Sequence, residues 1–467
     1  MQTRNILNEL RPSIPATIIF PTPAPGQPAR QAQESDGPSP QTQIQTPQHR
    51  ELKFALHRKL LDRIDLQSVS SLPSDQMRAE IRPVIARLIG EEKTPISLTE
   101  REILIDEVLD EVFGFGPLEP LLRDRSVSDI LVTTPSLVYV ERAGMLERTG
   151  IEFRDNAHLL RIIERVVSRV GRRIDESSPM VDARLPDGSR LNAVIPPLAV
   201  DGPLLSICRI GNDRMQPEDL IRKGAVTPEM MEFLKACVRA RLNVIISGGT
   251  GAGKTTLLNV LSAFIPSTER IVTIEDAAEL QLRQIHVARL ETRPPNIEGK
   301  GAVMQRQLLV NALRMRPDRI IVGEVRSDEA LDMLQAMNTG HDGALTTIHA
   351  NSPRDAIMRL EVMVGLAANG LSARSIRQQV SSAIDLFIQV SRFPDGTRRI
   401  SHITECNGME GDQVTTQDIF LFERTSMVEG RVRGKFRAIG VRPRFYERMA
   451  ANGIELPMSI FQSSRDV

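Results

Sequence analysis

The sequence predicts an α/β protein whose C-terminal half is built on a largely parallel sheet. Two observations predict it. The first is a glycine-rich run, Ser247 to Thr256, set between an apolar β-branched stretch and an apolar helical one. The second lies C-terminal to that run, where short apolar stretches at Ile271–Ile274, Arg319–Val322, Ala344–Ile348 and Asp385–Val390 alternate with helical patterns. Strands alternating with helices build parallel sheets, because a parallel connection needs a crossover long enough to hold a helix.

The 467-residue chain is too long for one core, and two to four domains are expected. Residues Arg11 to Arg50 are rich in Pro, Gln, Ser and Thr and nearly lack large apolar side chains. Such a stretch cannot bury enough surface to offset its ordering entropy, so residues 1–50 read as a disordered tail. From Glu51 the pattern changes. Leu52, Leu56, Leu60 and Ile64 share one helical face, a second helix is predicted from Ser74 to Leu88, and a third from Thr99, where Thr99 and Glu102 fit a capping box. These make a small bundle over 51–112. Gly114 and Gly116-Pro117 end it. Strands at Asp129–Val132 and Leu137–Glu141, a helix near His158–Val170 and a Pro186–Gly188 turn form a mixed region, 113–216. A helical linker over Pro217–Arg241 opens the last domain, 217–467, and Pro394-Asp395-Gly396 marks a late hairpin in it.

Ser247 to Thr256 fits Gly-x-x-x-x-Gly-Lys-Ser/Thr through Gly248, Gly253, Lys254 and Thr255. A loop that wraps a polyphosphate with backbone N–H groups must be nearly free of side chains, and the next helix turns its positive end toward the same charge. Gly248, Gly249, Thr250, Gly251, Ala252, Gly253, Lys254, Thr255 and Thr256 are therefore the predicted nucleotide-binding residues. Lys254 is placed at the β/γ-phosphates of ATP and the Thr255 hydroxyl on Mg²⁺. The strand before the loop (Asn243 to Ser247) and the helix after it (Thr256 to Ile265) supply the context this motif requires, which a chance glycine turn lacks.

Hydrolysis demands more: a group to orient water and groups to neutralise the γ-phosphoryl charge. Ligand chemistry in open α/β sheets gathers at the carboxyl ends of strands. Glu275 and Glu324 each follow such an end, so Glu275 is assigned to the attacking water and Glu324, with Thr255, to Mg²⁺. Acidic residues also cap strands and start helices, and only the upstream loop favours the functional reading. His341 and His349 flank one strand. Their spacing does not suit zinc, and a hydrogen-bonding role near the γ-phosphate competes with that of a satisfied structural imidazole. Arginines crowd the mixed region at Arg172, Arg173, Arg184, Arg190 and Arg209. Spacing alone does not say which of them reaches the phosphates; Arg190 and Arg209 are the catalytic candidates.

Formal charge balances to zero, Trp is absent and Tyr occurs twice, which argues against direct nucleic-acid binding. Cys208, Cys237 and Cys406 are far apart and fit a reducing cytosol rather than a disulfide or zinc framework. No apolar run nears the ~20 residues of a membrane span, and the first residues lack a signal-peptide core.

Several longer runs resemble one family. Phe115 to Leu122, Gly171 to Arg190, Ile274-Glu-Asp, Arg293-Pro-Pro-Asn-Ile-Glu-Gly, Ala312 to Arg326 and Gly340-His through His349-Ala-Asn are similar to the CpaF family, the motor ATPases of Tad pilus systems, within the type II/type IV secretion ATPase superfamily. The resemblance spans roughly residues 51 to 463. It implies a helical bundle, an α/β N-terminal domain and a RecA-like P-loop ATPase domain. It also implies a homohexamer, nucleotide between the two α/β domains, and peripheral attachment to a platform at the cytoplasmic face of the bacterial inner membrane, where hydrolysis drives pilus assembly or retraction. Two departures stand out: Ile207-Cys208-Arg209-Ile210 where the family has Ile-Arg-Lys-Phe, and Thr133-Thr134 in place of Asn-Gly. A related export or conjugation motor shares the same hydrolysis residues, and a nucleotide-gated scaffold without turnover is the reading outside the enzymes.

Overall fold

The structure is a computed structural model that describes residues 47–63, 74–92, 94–142, 144–209, 215–293, 295, 300–368 and 370–467. The chain falls into two units, 1–50 and 51–467, and the second holds the bundle core and both sheets. The proline-rich stretch lies almost wholly outside the described residues, as do Ile64 and Ile210–Arg214.

Three helices come first: Pro47–Arg63, Ser74–Glu91 and Leu98–Phe113. Leu52, Leu56 and Leu60 meet Ile81, Ile85, Leu88, Leu104, Ile105, Val108 and Leu109 in one apolar core. The third helix starts one residue before Thr99, and its cap is Ser97 rather than Thr99. Ser97 Oγ accepts the Glu100 N–H at 3.2 Å, and Glu100 Oε2 accepts the Ser97 N–H at 2.7 Å. Both Ser97-x-x-Glu100 and Thr99-x-x-Glu102 fit the pattern; the earlier one forms, and Glu102 instead pairs with Arg82 of the neighbouring helix.

A six-stranded antiparallel sheet comes next. Its strands are β1 (Val127–Thr134), β2 (Leu137–Arg142), β3 (Met145–Arg148), β4 (Met180–Arg184), β5 (Arg190–Val194) and β6 (Leu204–Cys208), in the order β3-β2-β1-β6-β5-β4. Helix Asn156–Arg169 covers one face, where Leu159, Ile162, Ile163 and Val166 pack on Ile130, Val140, Leu191 and Ile207. The Pro186–Gly188 turn joins β4 to β5.

Helices Pro217–Arg222 and Pro228–Arg239 lead into the large sheet. Its strands are β7 (Val244–Gly248), β8 (Ile271–Glu275), β9 (Val287–Glu291), β10 (Arg319–Val322), β11 (Leu345–His349), β12 (Leu386–Arg392), β13 (Arg398–Glu410), β14 (Gln413–Val428), β15 (Arg431–Ala438) and β16 (Ser464–Asp466). The order is β16-β15-β14-β13-β12-β7-β11-β10-β8-β9. From β12 to β9 every pairing is parallel. From β12 to β16 every pairing is antiparallel, so the sheet is less parallel than the sequence suggested. The late hairpin at Pro394–Gly396 is the start of that extension. Both faces of the parallel part are buried: Val244, Ile246 and Ile321 point into one core, Ile245, Ile274, Ile320 and Val322 into the other.

Candidate functional site

β7 ends at Gly248, and the chain turns through Gly249–Gly253 into helix Lys254–Ser262. Gly251 and Gly253 take φ of +68° and +99°, values that favour glycine, and Gly253 is the helix N-cap. The N-terminus of this helix thus faces the loop it closes, the arrangement that binds phosphate oxygens.

Strand order brings the distant residues to this loop. β11 lies between β7 and β10, and in register His349 stands beside Gly248. The end of β11 therefore falls between the loop and Glu324, which leaves β10. Lys254 Nζ donates to Gly249 O at 3.0 Å and lies 3.4 Å from both ring nitrogens of His349. His349 Nε2 lies 2.7 Å from Glu324 Oε1. Burial holds the Lys254 ammonium below its ordinary pKa. Burial, and next the Lys254 charge, lower that of His349 against the pull of Glu324.

Glu275 closes the other side at the end of β8. Its Oε2 accepts the N–H groups of Glu279 (2.7 Å) and Leu280 (2.8 Å), while Oε1 is buried and unpaired. Burial pushes its carboxyl up to about 7, although the two N–H donors pull the other way. Arg190, Thr255, Glu275, Asp276, Glu279, Glu324 and Arg326 line one open cleft. Arg190 comes from the small sheet and is held by Asp182 through Nε (3.2 Å) and Nη2 (2.7 Å). Arg184 of β4 lies 3.6 Å from Glu291 of β9, a second link between the sheets.

Lys254, Thr255, Glu275, Glu324, His349 and Arg190 are thus brought together, and two other candidates are not. His341 lies at the opposite edge of the sheet, before β11, where the N–H groups of Gly343 and Ala344 bond to Asn243 Oδ1 just ahead of β7. Its ring lines a small apolar cavity with Leu309, Met333 and Met337, and Nδ1 is buried and unpaired. A strand's length separates it from the loop, so it is not a phosphate contact. Arg209 spends Nη1 on the carbonyls of Asp124 and Val127 (the latter at 3.2 Å), where it ties β6 to the chain entering β1.

Sequence reasoning missed Arg326. Its Nη2 donates to Glu324 Oε2 at 2.7 Å, and Nη1 lies 3.3 Å from Asp276 Oδ2. Its place two residues after Glu324 was the available signal. It also missed Gln389 of β12, whose Oε1 accepts the Ser247 hydroxyl at 2.5 Å and whose Nε2 donates to Ala350 O at 3.1 Å.

A left-handed glycine loop at a helix N-terminus, a buried lysine and strand-end carboxylates define a P-loop nucleotide-binding protein. The family described as type II/IV secretion system protein matches residues 111–416. The chain belongs to that family. A putative conjugal transfer protein of Mycobacterium tuberculosis is 40% identical over 307 residues, which cover 64% of this chain and 87% of that protein. The type IV secretion system protein VirB11 of Brucella suis is 31% identical over 321 residues, 63% of this chain and 88% of that one. Among solved structures, the Brucella suis VirB11 ATPase in complex with sulphate is 30% identical, with TM-score 0.34, covering 63% of this chain and 97% of that chain. Among the described residues no helix is long and apolar enough to cross a membrane.

Proposed function

We propose that this chain is a motor ATPase that hydrolyses ATP and uses the closing and opening of the cleft between its two sheets to do mechanical work. One observation carries the reading: Lys254, His349, Glu324 and Glu275 converge at the carboxyl ends of neighbouring strands, where Glu275 lines the cleft and keeps one carboxylate oxygen unpaired.

The roles follow from position. The N–H groups of Gly249–Thr255 and the Lys254 ammonium bind the phosphates. Thr255 and Glu324 would hold Mg²⁺, which neutralises charge on the β- and γ-phosphates. Among the described residues no three His, Cys, Asp or Glu side chains form a metal cage, and a Mg²⁺ held largely by phosphates needs none. Glu275 Oε1 orients water and takes its proton; a carboxyl near 7 is suited to that exchange. His349 reports on the γ-phosphate from between Lys254 and Glu324. Arg190 approaches from the small sheet and stabilises the transferring group as the cleft closes. The working parts are a bundle (51–112), an α/β domain (113–216) and a RecA-like ATPase domain (217–467), assembled as a homohexamer on the cytoplasmic face of an inner-membrane platform.

The cargo proposed is a Tad-type pilus, supported by the runs Phe115–Leu122 and Gly171–Arg190. Conjugal or type IV export is the second reading, favoured by the names of the relatives. Purified full-length chain should release phosphate from Mg·ATP, Lys254→Ala should abolish release, and Glu275→Gln should slow it by about 10²-fold or more. Release no faster than buffer, with Glu275→Gln unchanged, would leave the scaffold reading standing. Deletion in the host separates the cargoes: loss of surface pili supports the first, and intact pili with lost DNA or protein export the second.

A further inference from the structure

The hairpin of β2 and β3 reaches the large sheet beside the phosphate loop, and charge makes the contact. Glu141 of β2 is 13% exposed and receives two guanidinium groups. Arg398 Nη2 lies 3.1 Å from its Oε1 and Arg392 Nη2 lies 3.3 Å from its Oε2. Arg392 also donates to Gly144 O at the hairpin turn. A Cβ on Gly144 would come within 2.9 Å of Gly396 O, so the two hairpin turns approach through their backbones. The same arginines touch the loop. Arg398 Nε donates to Gly251 O at 2.7 Å, and a Cβ on Gly251 would lie 3.1 Å from Arg392 Nη1. One carboxylate from the small sheet, two cations from β12 and β13, and the backbone of an anion-binding loop are thus a single cluster.

We infer that Glu141, Arg392 and Arg398 form a nucleotide-responsive latch: Arg398 is a positioning residue that holds the loop through Gly251, and Glu141 occupies cationic charge that an entering polyphosphate draws away from it. The inference rests on the reading of the loop as a nucleotide site, not on turnover. Two guanidinium groups against one carboxylate leave an excess positive charge beside the loop. Glu141 and Gly251 are bridged by a single guanidinium, so salt, with a screening length of ~8 Å, does not isolate them. A polyphosphate in the loop attracts both arginines and repels Glu141. Binding thereby loosens the hairpin from the large sheet, and a docked hairpin weakens binding; the coupling is reciprocal.

This predicts effects of opposite sign from the two partners of one ion pair. A simple strut would give the same sign for both, since either substitution breaks it. Full-length protein is titrated with a fluorescent (N-methylanthraniloyl) ADP and Mg²⁺, followed by anisotropy. Glu141→Gln should bind about threefold tighter and Arg398→Ala about threefold weaker, in line with partly exposed charge pairs. The double variant should be no tighter than Arg398→Ala alone. If Arg398→Ala does not fold, Arg392→Gln takes its place, with weaker binding expected. Weaker or unchanged binding by Glu141→Gln overturns the latch. Wild-type protein that fails to bind the analogue sinks the nucleotide site itself. Tighter binding by Glu141→Gln without phosphate release supports the latch and removes only the motor.

Discussion

At Glu275 two demands meet on one side chain. One oxygen ties down the turn after β8 through the N–H groups of Glu279 and Leu280; the other is buried and unpaired, in a side chain that lines the cleft. Burial puts the carboxyl at about 7, above its ordinary 4.5. A folded pKa above the unfolded one stabilises the fold fully below about 4.5, and that contribution is lost as pH rises through about 7. Glu275→Gln should therefore flatten the fall in melting temperature between pH 5 and pH 8; a parallel fall in both proteins would contradict it. As the proposed base, Glu275 acts in its ionised form, so the rate should climb as pH rises through about 7, and its acid limb should shift or vanish in the variant. Gly323 is the matching constraint from β10. A Cβ there would lie 2.9 Å from Glu275 Cγ and 3.4 Å from Oε2. Gly323→Ala should slow phosphate release by about tenfold or more, with nucleotide binding kept, because a small displacement of a catalytic group is costly. Unchanged release would show that Glu275 is not tightly placed. Lys254, Thr255, Glu275 and Glu324 were legible because each sits at a fixed offset from a glycine loop or a strand end. Arg326, Arg392 and Arg398 were not, because an arginine's partner is chosen by folding, and most arginines in a sequence are merely solvated.

β11 is the element that makes the site. Lying between β7 and β10, it carries His349 to the gap between the loop and Glu324. The length of that strand separates His349 at its end from His341 ahead of its start, which is why His341 fails as a phosphate contact although the two are only eight positions apart in sequence. β12 flanks β7 on the other side, and its Gln389 ties Ser247, just before the loop, to Ala350, just after β11. All three lie in or near the buried sheet, so Gln389→Leu should leave the Ala350 carbonyl without its amide donor and the Ser247 hydroxyl with only the longer contact to Ile388 O at 3.5 Å. A loss of about 1–3 kcal/mol is expected, read as a lower urea midpoint. No change would mean that water replaces the amide. The buried parallel strands stood out in sequence as short β-branched runs, and β10 begins and ends at the residues expected, Arg319 and Val322. β14 did not stand out. It runs 16 residues, mostly half-exposed or exposed, without the apolar density that marks a buried strand.

Across the whole molecule, the cleft joins residues of two sheets. Arg190 enters it from the small sheet, Arg184 reaches Glu291, and Glu141 grips Arg392 and Arg398 at the loop. In the proposed motor, movement of the small sheet would act on the nucleotide site through these contacts. Mass photometry with a non-hydrolysable ATP analogue should show a six-subunit ring, and a strict monomer at micromolar concentration would count against the proposed assembly. Gly248 to Thr256, the carboxylates at strand ends and the alternation of strands and helices were determined by the sequence alone, since each depends on neighbours a few residues away. The tertiary structure decided what depends on strand order and on contacts across more than a hundred residues. It decided that His349 and not His341 meets Lys254, that Arg190 and not Arg209 enters the cleft, and that Glu141 reaches the loop through two arginines some 250 residues further along. Local rules cannot set such pairings, because they are fixed only when two separately formed sheets pack together.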